Sequence, residues 1–437
     1  MVGRGIRQLR LDRRSRGRPR RRVPHRCDGP APERARSERL DDRSGHRRAD
    51  PAVQHRVRLL AEVWGPSAHP AHVLGRDVVY RVRAQAAAPL HSPAVKESGT
   101  RVLHVLRSTD PSQGGLARSV PALVAALQAE SVDARIGLPG GAAEVVHVHG
   151  LWLPLHHGAA RAARQAHTPL VVSIRGMLEP WALAHRRWKK RLAWPLYQRR
   201  DLQQAAVLHA TSVAEAGAIR GRGLTSPIAL IPNGVEVPAV LPERVRSATR
   251  RALFLGRLHP IKGLPMLIEA WRRVGPVGWE LVLAGPDEDG HRATLDAQVH
   301  AAGLGDAISF AGPVADADKW ALYRTADVFV LPSHTENFGL VVAEALGAGV
   351  PVLTMKGTPW CELETHRCGW WTDVSVDALA AALTEATLSP RADLDAMGAR
   401  GHALILDRYG WPDAARQMKA VYEWILGTGC RPPCVQL

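Results

Sequence analysis

The sequence lacks any long hydrophobic run. No apolar stretch among its 437 residues approaches the roughly 18 residues that a membrane-spanning helix needs. The N-terminus is rich in arginine but has no apolar segment of the kind found in secretory signals. The apolar content of 46% is typical of a globular protein with buried cores, and the length suits two or three domains. We therefore expect a cytoplasmic protein.

Cysteine is scarce, and its five positions form no pattern: Cys27, Cys361, Cys368, Cys430 and Cys434. An odd number at these spacings favours neither a disulfide framework nor a zinc site. His366 lies close to Cys361 and Cys368, but this spacing fits no common metal site. The DED stretch (287–289) resembles a metal-binding Asp-x-Asp signature, but we interpret it as a solvated turn. We expect free thiols, a reducing compartment and no bound metal.

Lysine is almost absent from the first 98 residues. This part holds 22 arginines, one lysine and ten acidic residues, and so carries +13 of the net charge of +17. The stretch RRSRGRPRRRVPHR (13–26) shows neither a helical nor an alternating period, which indicates a disordered extension. The segment 1–98 is either an arm that binds nucleic acid or an acidic membrane, or an extension with no such role. Because no aromatic residues interleave with the arginines, we favour the second interpretation and expect no specific nucleic-acid partner.

From Arg101 onward, short apolar runs alternate with helical stretches. Continuous apolar runs are typical of parallel strands that are covered on both faces. The first series comprises RVLHVL (101–106), VVHVHG (145–150), PLVVSIRG (169–176), AVLHATS (206–212) and IALIPNG (228–234), and the second ALFLGRL (252–258), ELVLAGP (280–286), ISFAGPV (308–314), DVFVLPS (327–333) and PVLTM (351–355). Two such series predict an α/β protein with two doubly wound domains facing each other across a cleft.

The domain boundaries follow from changes in composition. We assign residues 99–235 to the first domain and 236–411 to the second, joined near the proline-rich, aperiodic stretch 235–250. Residues 412–426 read as a last helix, and the tail 427–437 is expected to be too short and too rich in proline to fold. Ligands of such domains bind at the carboxyl ends of the strands, so the cleft is the expected site.

Glycines and cations follow several of these strands. Gly114 and Gly115 precede a helix, where backbone amides can approach an anion, although a tight turn explains them equally well. Arg257 and Lys262 follow the first strand of the second series and lie beside a helix start. That position suits a diphosphate, but it also suits a solvated loop. The stretch lacks the lysine-containing pattern of a P-loop.

Two glutamates stand out in LPSHTENFGLVVAEALGAGVPVL (331–353). Glu336 precedes a helix that is apolar on nearly every side, and Glu344 lies inside that helix. A buried carboxylate costs several kcal/mol unless it is paired or hydrogen-bonded. Either the hydroxyl groups of a ligand or an ion pair with a core arginine could satisfy Glu344, and we favour the ligand.

Together, these motifs resemble a known family. Residues 101–426 resemble family 4 glycosyltransferases of the GT-B fold, which consists of two Rossmann-like domains and a last helix packed back across them. The resemblance rests on the glycines at 114–115, VHVHG (146–150), IPNGV (231–235), GRLHPIKG (256–263) and the two glutamates eight positions apart (336–344). SIRGMLEPWAL (173–183) and KGTPWCELETHRCGWW (356–371) further resemble transferases that assemble bacterial surface or exported polysaccharides.

The resemblance implies roles for individual residues. Arg257 and Lys262 would neutralise the diphosphate of a nucleotide-sugar donor, Glu336 would contact the donor sugar, and Glu344 the ribose. His149 would lie near the reacting carbon, unless it is a core histidine that closes a strand. Further donor contacts would come from Gly114, Gly115, Gly312, Val314, Asn337, Phe338, Gly339 and Leu340.

The implied reaction is transfer of the sugar to a glycan or lipid-linked acceptor, with retention of anomeric configuration and without metal or cofactor. The leaving diphosphate would take the acceptor's proton, so no protein nucleophile is required. The basic segment 185–202, with Trp188 and Tyr197, either contacts the inner membrane face or packs its aromatic rings inward. Pro195 is expected to interrupt this segment.

Other functions predict different behaviour. A sugar-nucleotide epimerase of the same fold would bind the same donors but would need acid and base carboxylates at the anomeric carbon. A phosphorylase would need a pyridoxal lysine, for which no motif is seen. A nucleic-acid-binding protein acting through residues 1–98 would lose its activity when these residues are removed, whereas a transferase would change little.

Overall fold

The computed structural model describes residues 99–437, apart from 111–113, 139–141, 185–186, 239 and 242. The interpretation of residues 1–98 therefore lies outside the described part of the chain. The strands that the structure describes are Arg101–Val105 (β1), Asp133–Ile136 (β2), Val145–His149 (β3), Leu170–Ser173 (β4), Val207–Ala210 (β5), Ile228–Leu230 (β6), Arg250–Leu255 (β7), Trp279–Ala284 (β8), Ile308–Gly312 (β9), Val328–Leu331 (β10), Val352–Met355 (β11), Gly369–Thr372 (β12) and Val435–Gln436 (β13).

The helices connect these strands and cover the sheets. Those that the structure describes are Gly115–Ala129 (α1), Pro154–Gln165 (α2), Pro180–Ala184 (α3), Arg187–Ala193 (α4), Arg199–Gln203 (α5), Val213–Arg220 (α6), Leu264–Val274 (α7), His291–Ala301 (α8), Lys319–Thr325 (α9), Leu340–Gly347 (α10), Glu362–Thr365 (α11), Val376–Leu388 (α12), Arg391–Arg408 (α13) and Trp411–Ile425 (α14). Among the helices described, none is long and apolar enough to cross a membrane.

The first sheet has the strand order β13-β6-β5-β4-β3-β1-β2, and strands β1 to β6 pair in parallel. Every residue of β3, β4 and β5 is buried, which explains why these strands read as continuous apolar runs. Alternate side chains enter two cores on opposite faces of the sheet: Val146 and Val148 pack in one, and Val145 in the other.

The second sheet has the order β12-β11-β10-β7-β8-β9 and is parallel throughout the residues described. Its strand order reverses between β7 and β10, the point at which doubly wound sheets bind ligands. The loops after these strands carry Arg257 and Glu336, so the topology brings these two residues to one edge. The predicted fold class, two doubly wound α/β domains, is confirmed.

The C-terminal tail was predicted not to fold, and this prediction is wrong. Val435 and Gln436 form an antiparallel strand against β6, and the N–H of Leu230 donates to the carbonyl of Cys434 at 2.8 Å. The tail follows α14, which buries Met418 and Tyr422 in the core of the first domain. Because α14 brings the chain to the open edge of the sheet, two residues are enough to extend it.

The basic segment also differs from expectation, because Pro195 does not end the helical path. A π-helical turn, Trp194–Gln198, joins α4 to α5 and contains the proline. The wider π turn accommodates a residue that has no N–H to donate, so the chain stays helical through it.

Candidate active site

A cavity of about 970 Å³ lies between the carboxyl ends of the two sheets. Of the thirteen residues predicted for the site, eleven line it: Gly114, Gly115, Arg257, Lys262, Val314, Glu336, Asn337, Phe338, Gly339, Leu340 and Glu344. These residues come from both halves of the chain, and they meet because parallel strands end at one edge of each sheet. His149 and Gly312 do not line the cavity.

The paired glycines open helix α1 at the cavity wall. Gly114 has a φ of 101° and a ψ of −164°, a backbone conformation that favours glycine. A Cβ atom there would meet nothing within 4 Å, so the backbone conformation, rather than crowding, selects glycine. The N-cap residue Gly114 has no side chain that could accept from the first N–H groups of helix α1, and a helix N-terminus of this kind suits an anion.

Arg257 lies directly after β7 and is held by Glu288. The guanidinium Nη1 donates to both carboxylate oxygens of Glu288, at 2.6 Å and 2.5 Å. Glu288 belongs to the DED stretch (287–289), which is a turn, as predicted. The prediction missed that this turn pairs with Arg257, because the two residues come from different strand–loop units.

Lys262 is positioned by a 3-10 turn, Pro260–Lys262, followed by Gly263 at a φ of 66°. A Cβ atom on Gly263 would lie 2.1 Å from the carbonyl oxygen of Pro332, so only glycine fits between the two loops. The ammonium group of Lys262 contacts the carboxylate of Glu336, which also accepts a hydrogen bond from the hydroxyl of Ser333 at 2.8 Å. The cation and the acid that were predicted separately therefore form one unit.

Glu344 is 8% exposed, and its partners are Lys319 and Tyr323. The Lys319 ammonium lies 2.6 Å from Oε1, and the Tyr323 hydroxyl donates to Oε2 at 3.0 Å. The less favoured of the two predicted alternatives, an ion pair, is thus present in this structure, with lysine in place of arginine. Glu344 also lines the cavity, so the ion pair lies in the cavity wall.

His149 lies at the end of β3, beneath the cavity, with 1% of its surface exposed. Its Nδ1 is 3.5 Å from a guanidinium nitrogen of Arg175, which can only donate, so Nδ1 is the acceptor. The proton of a neutral ring then sits on Nε2 and is donated to Nδ1 of His104 at 2.9 Å. A position of His149 near the reacting carbon stays a prediction; Arg175 lines the cavity, whereas His149 does not.

A second buried chain of hydrogen bonds joins the last helix to the sheet. The carbonyl of Ile231 can only accept, so His209 donates to it through Nε2 at 2.9 Å. His209 Nδ1 then accepts from the Ser173 hydroxyl, which in turn accepts from His147 Nε2, each at 2.7 Å. The chain begins at the Tyr422 hydroxyl, which donates to His147 Nδ1 at 2.7 Å. Every proton position in this chain follows from the carbonyl at its end.

Burial keeps these imidazoles uncharged. It lowers the pKa of His104 and His209 to about 3, and the nearby Arg175 guanidinium adds to the effect. Burial and the neighbouring rings hold the pKa of His147 and His149 well below the usual value. Nitrogens of His104, His147 and His149 lie within 4.8 Å of one another, so they could in principle hold a cation. Both ring nitrogens of His147 and of His149 are already in polar contacts, which a metal would have to displace.

Contacts between the two domains close the far end of the cleft. The amide of Asn337 donates to the hydroxyl of Thr211 at 2.9 Å, and the hydroxyl of Thr335 donates to the carboxylate of Glu179 at 2.8 Å. A Cβ atom on Gly176 would lie 2.9 Å from Cβ of Asn337, so glycine permits this close approach. Burial raises the pKa of Glu179, and the bond from Thr335 opposes that rise.

Solved structures with a similar architecture identify the fold. Sucrose-phosphate synthase from Thermosynechococcus elongatus matches with a TM-score of 0.62 at 18% identity, over 75% of this chain and 100% of that chain. The Anabaena protein Alr3699/HepE in complex with UDP and glucose matches with a TM-score of 0.59 at 19% identity, over 74% of this chain and 100% of that chain. Identities this low establish the fold alone, and that fold is GT-B.

Sequence comparison identifies the family. Residues 16–234 match the family described as glycosyl transferase 4-like domain, and residues 243–402 match the family described as glycosyl transferases group 1. The chain belongs to glycosyltransferase family 4, as its motifs indicated, and it is an enzyme of the glycosyltransferase class. The first match begins within the arginine-rich part, which the structure does not describe.

Two curated relatives illustrate the range of this family. The chain is 29% identical to the D-inositol 3-phosphate glycosyltransferase of Streptomyces scabiei over 349 residues, which span 74% of this chain and 77% of the relative. It is 26% identical to the GDP-mannose:cellobiosyl-diphosphopolyprenol alpha-mannosyltransferase of Xanthomonas campestris over 377 residues. This match spans 75% of this chain and 98% of the relative.

Proposed function

We propose that this protein transfers a sugar from a nucleotide-diphosphate sugar to a glycan or lipid-linked acceptor in polysaccharide biosynthesis. The observation that carries the proposal is the arrangement of Arg257, Lys262, Glu336 and Glu344 around one cavity that spans both domains. Two cations suit a diphosphate, and two carboxylates suit the hydroxyl groups of a sugar and a ribose. Both curated relatives carry a phosphorylated compound in their names, and one also names GDP-mannose.

The donor would bind mainly to the second domain. Its diphosphate would lie between Arg257, Lys262 and the start of helix α1, where the N-cap residue Gly114 has no side chain to cap the first N–H groups. Glu288 and Glu336 hold the two cations in place before the donor arrives. Pre-positioned cations stabilise charge on the leaving group without a reorganisation cost at the moment of reaction.

The proposed chemistry retains the anomeric configuration and uses no metal and no cofactor. The bond from the anomeric carbon to the diphosphate oxygen breaks, and the acceptor oxygen bonds to the same face of that carbon. The acceptor's proton passes to the departing diphosphate, whose charge Arg257 and Lys262 stabilise. The pair Glu336–Lys262 supports this assignment, because a carboxylate already bound to an ammonium is a poor nucleophile.

A lipid-linked acceptor fits the surface of α4, the π turn and α5. Trp188, Leu192 and Leu196 are spaced four residues apart and are 59%, 49% and 66% exposed. Exposed arginines lie on either side of them, and residues 180–200 contain no acidic side chain. An apolar stripe flanked by cations suits an anionic bilayer surface, and we propose that the enzyme works there, at the cytoplasmic face.

The donor is tested by thermal unfolding with UDP, GDP and ADP added separately. A nucleotide that binds the folded state raises the melting temperature by mass action. We expect a rise with one of them in the presence of EDTA, and a clearly smaller rise at the same nucleotide concentration in the Arg257→Ala variant. The corresponding nucleotide sugars are then tested for transfer, with the anomeric configuration of the product read by NMR. A product that stays attached to the nucleotide would instead indicate an epimerase.

A further inference from the structure

Five cationic side chains line the cavity within the described residues, and four of them are paired with carboxylates. The pairs are Arg118 with Asp316, Arg257 with Glu288, Lys262 with Glu336 and Lys319 with Glu344. The fifth cation is Arg175, which lies just after β4. No carboxylate among the described residues forms an ion pair with it.

The contacts of Arg175 leave most of its donors unused. Nη1 donates to the side-chain oxygen of Asn233 at 2.5 Å, and Nη2 makes a long contact of 3.5 Å with His149. The buried Nε–H has no partner among the described residues. A guanidinium carries five N–H donors, so one N–H on each of Nη1 and Nη2 is left over, and this pair suits a planar, doubly hydrogen-bonded ligand.

The surroundings provide little compensating charge. Glu215 lies near enough to favour the charged form of Arg175, but its oxygens accept from the N–H of Gly176 at 2.5 Å and from the N–H and hydroxyl of Thr211 at 2.7 Å and 3.0 Å. The histidines beneath Arg175 are neutral. A largely buried cation is costly unless an anion or several hydrogen-bond acceptors surround it. The described residues around Arg175 provide only part of such a set of partners.

The backbone at this position is also held in a costly conformation. Arg175 has a φ of 59°, in the left-handed region that residues other than glycine seldom adopt. This turn directs the chain out of the sheet at the carboxyl end of β4, and the side chain reaches the cavity. Backbone strain at a cavity wall is more common at ligand sites than elsewhere.

We propose that Arg175 binds a phosphoryl-type oxyanion of a substrate, an inference that rests on the proposed function. The planar guanidinium matches the geometry of two phosphate oxygens. Two sources could provide this group: the diphosphate of the donor or an anionic group on the acceptor. Arg175 belongs to the first domain, whereas the paired cations Arg257 and Lys262 belong to the second, and this difference favours the acceptor.

The test measures binding of two probes by isothermal titration calorimetry. One probe is the nucleoside diphosphate that raises the melting temperature, and the other is inorganic phosphate added to protein saturated with that nucleotide. We expect Arg175→Gln to weaken phosphate binding at least tenfold and to leave nucleotide binding within twofold of wild type. For Arg257→Ala we expect nucleotide binding to be about tenfold weaker and phosphate binding to stay within twofold of wild type. If Arg175→Gln instead weakens the nucleotide tenfold, the oxyanion belongs to the donor.

Asn233→Asp separates binding from folding. This nearly isosteric change replaces the amide of residue 233 with a carboxylate, which accepts from Nη1 of Arg175. The positive charge of Arg175 is then neutralised while the arginine itself is kept. We expect unchanged or higher thermal stability and phosphate binding at least tenfold weaker.

If both variants bind both probes as wild type does, Arg175 is structural and the proposal is overturned. If wild type binds phosphate but no nucleotide, the proposed transferase function fails while the oxyanion site stands.

Discussion

The ammonium nitrogen of Lys319 lies 2.6 Å from a carboxylate oxygen of Glu344, deep in the wall of the cleft. Tyr323 completes the arrangement with a hydroxyl 3.0 Å from the other oxygen. This relationship explains how a carboxylate sits in a helix whose neighbouring residues Val342 and Ala343 are fully buried. If Glu344 binds the donor, as proposed, the donor must share its carboxylate with Lys319 or displace the lysine.

Replacing Lys319 with methionine should destabilise the protein. The side chains of Lys319 and Glu344 are only 17% and 11% exposed, so removing the lysine leaves a largely buried carboxylate with one partner. We expect a loss of roughly 2–4 kcal/mol in the free energy of unfolding, measured with urea. The double variant Lys319→Met with Glu344→Gln should recover at least half of that loss. Equal stability of wild type and Lys319→Met would show that the pair contributes nothing.

The pair Arg257–Glu288 should affect binding far more than stability, because Arg257 is about half exposed. We expect Arg257→Ala to raise the dissociation constant of the nucleoside diphosphate about tenfold, the loss of one charge-assisted hydrogen bond. Glu288→Gln is the matched control: the glutamine oxygen can still accept from Arg257 and hold it in place, while the competing negative charge is removed, so affinity should be unchanged or slightly higher. Calorimetric titration of both variants checks this, and a weaker Glu288→Gln variant would contradict it.

Stability should fall as pH falls from about 6.5 towards 4. The buried histidines stay neutral in the fold, since burial lowers the pKa of His104 and His209 to about 3 and that of His156 to about 4. In the unfolded chain they gain protons below about pH 6.5, so unfolding takes up protons throughout that window. Each such group contributes a slope of up to about 1.4 kcal/mol per pH unit. Burial raises the pKa of Glu179 and Glu215, so the fold takes up their protons before the unfolded chain does. These two groups therefore stabilise the fold as pH falls and oppose the effect of the histidines.

Urea unfolding at pH 7, 6 and 5 measures this slope. Replacing His156 with leucine removes one buried imidazole and should reduce the slope near pH 5 by about 1.4 kcal/mol per pH unit. An unchanged slope in this variant would mean that His156 takes up its proton in the folded state.

The exposed stripe on α4 and the π turn should drive binding to anionic vesicles. Replacing Trp188 and Leu196 together with glutamine should weaken partition into phosphatidylglycerol-containing vesicles by roughly one and a half to three orders of magnitude, at about 1–2 kcal/mol per apolar side chain. Leu388→Gln is the matched control, since Leu388 is 78% exposed and lies on α12 of the second domain. Sedimentation of the full chain with vesicles measures the effect. Equal binding of the double variant and the control would assign membrane contact to another part of the chain.

Much of the site could be predicted from the sequence, because the strands and helices that position it follow from hydrophobic patterns within short stretches of chain. Apolar runs alternating with helical stretches indicate parallel sheets, and parallel sheets place the residues that follow their strands at one edge. This reasoning predicted that Arg257, Lys262, Glu336 and Glu344 would share a cleft, and they do. The fold class needed no knowledge of side-chain contacts.

The sequence alone determined the two-domain α/β architecture and most of the cleft lining, because hydrophobic periodicity and turn residues act over short stretches of chain. Only the tertiary structure decided which charges are paired. Lys319 meets Glu344, Glu288 meets Arg257, and Arg175 meets no acid among the described residues, since each partner comes from a separate loop or helix. It also decided that His149 lies beneath the cavity instead of inside it, because burial depends on how the neighbouring strand ends pack.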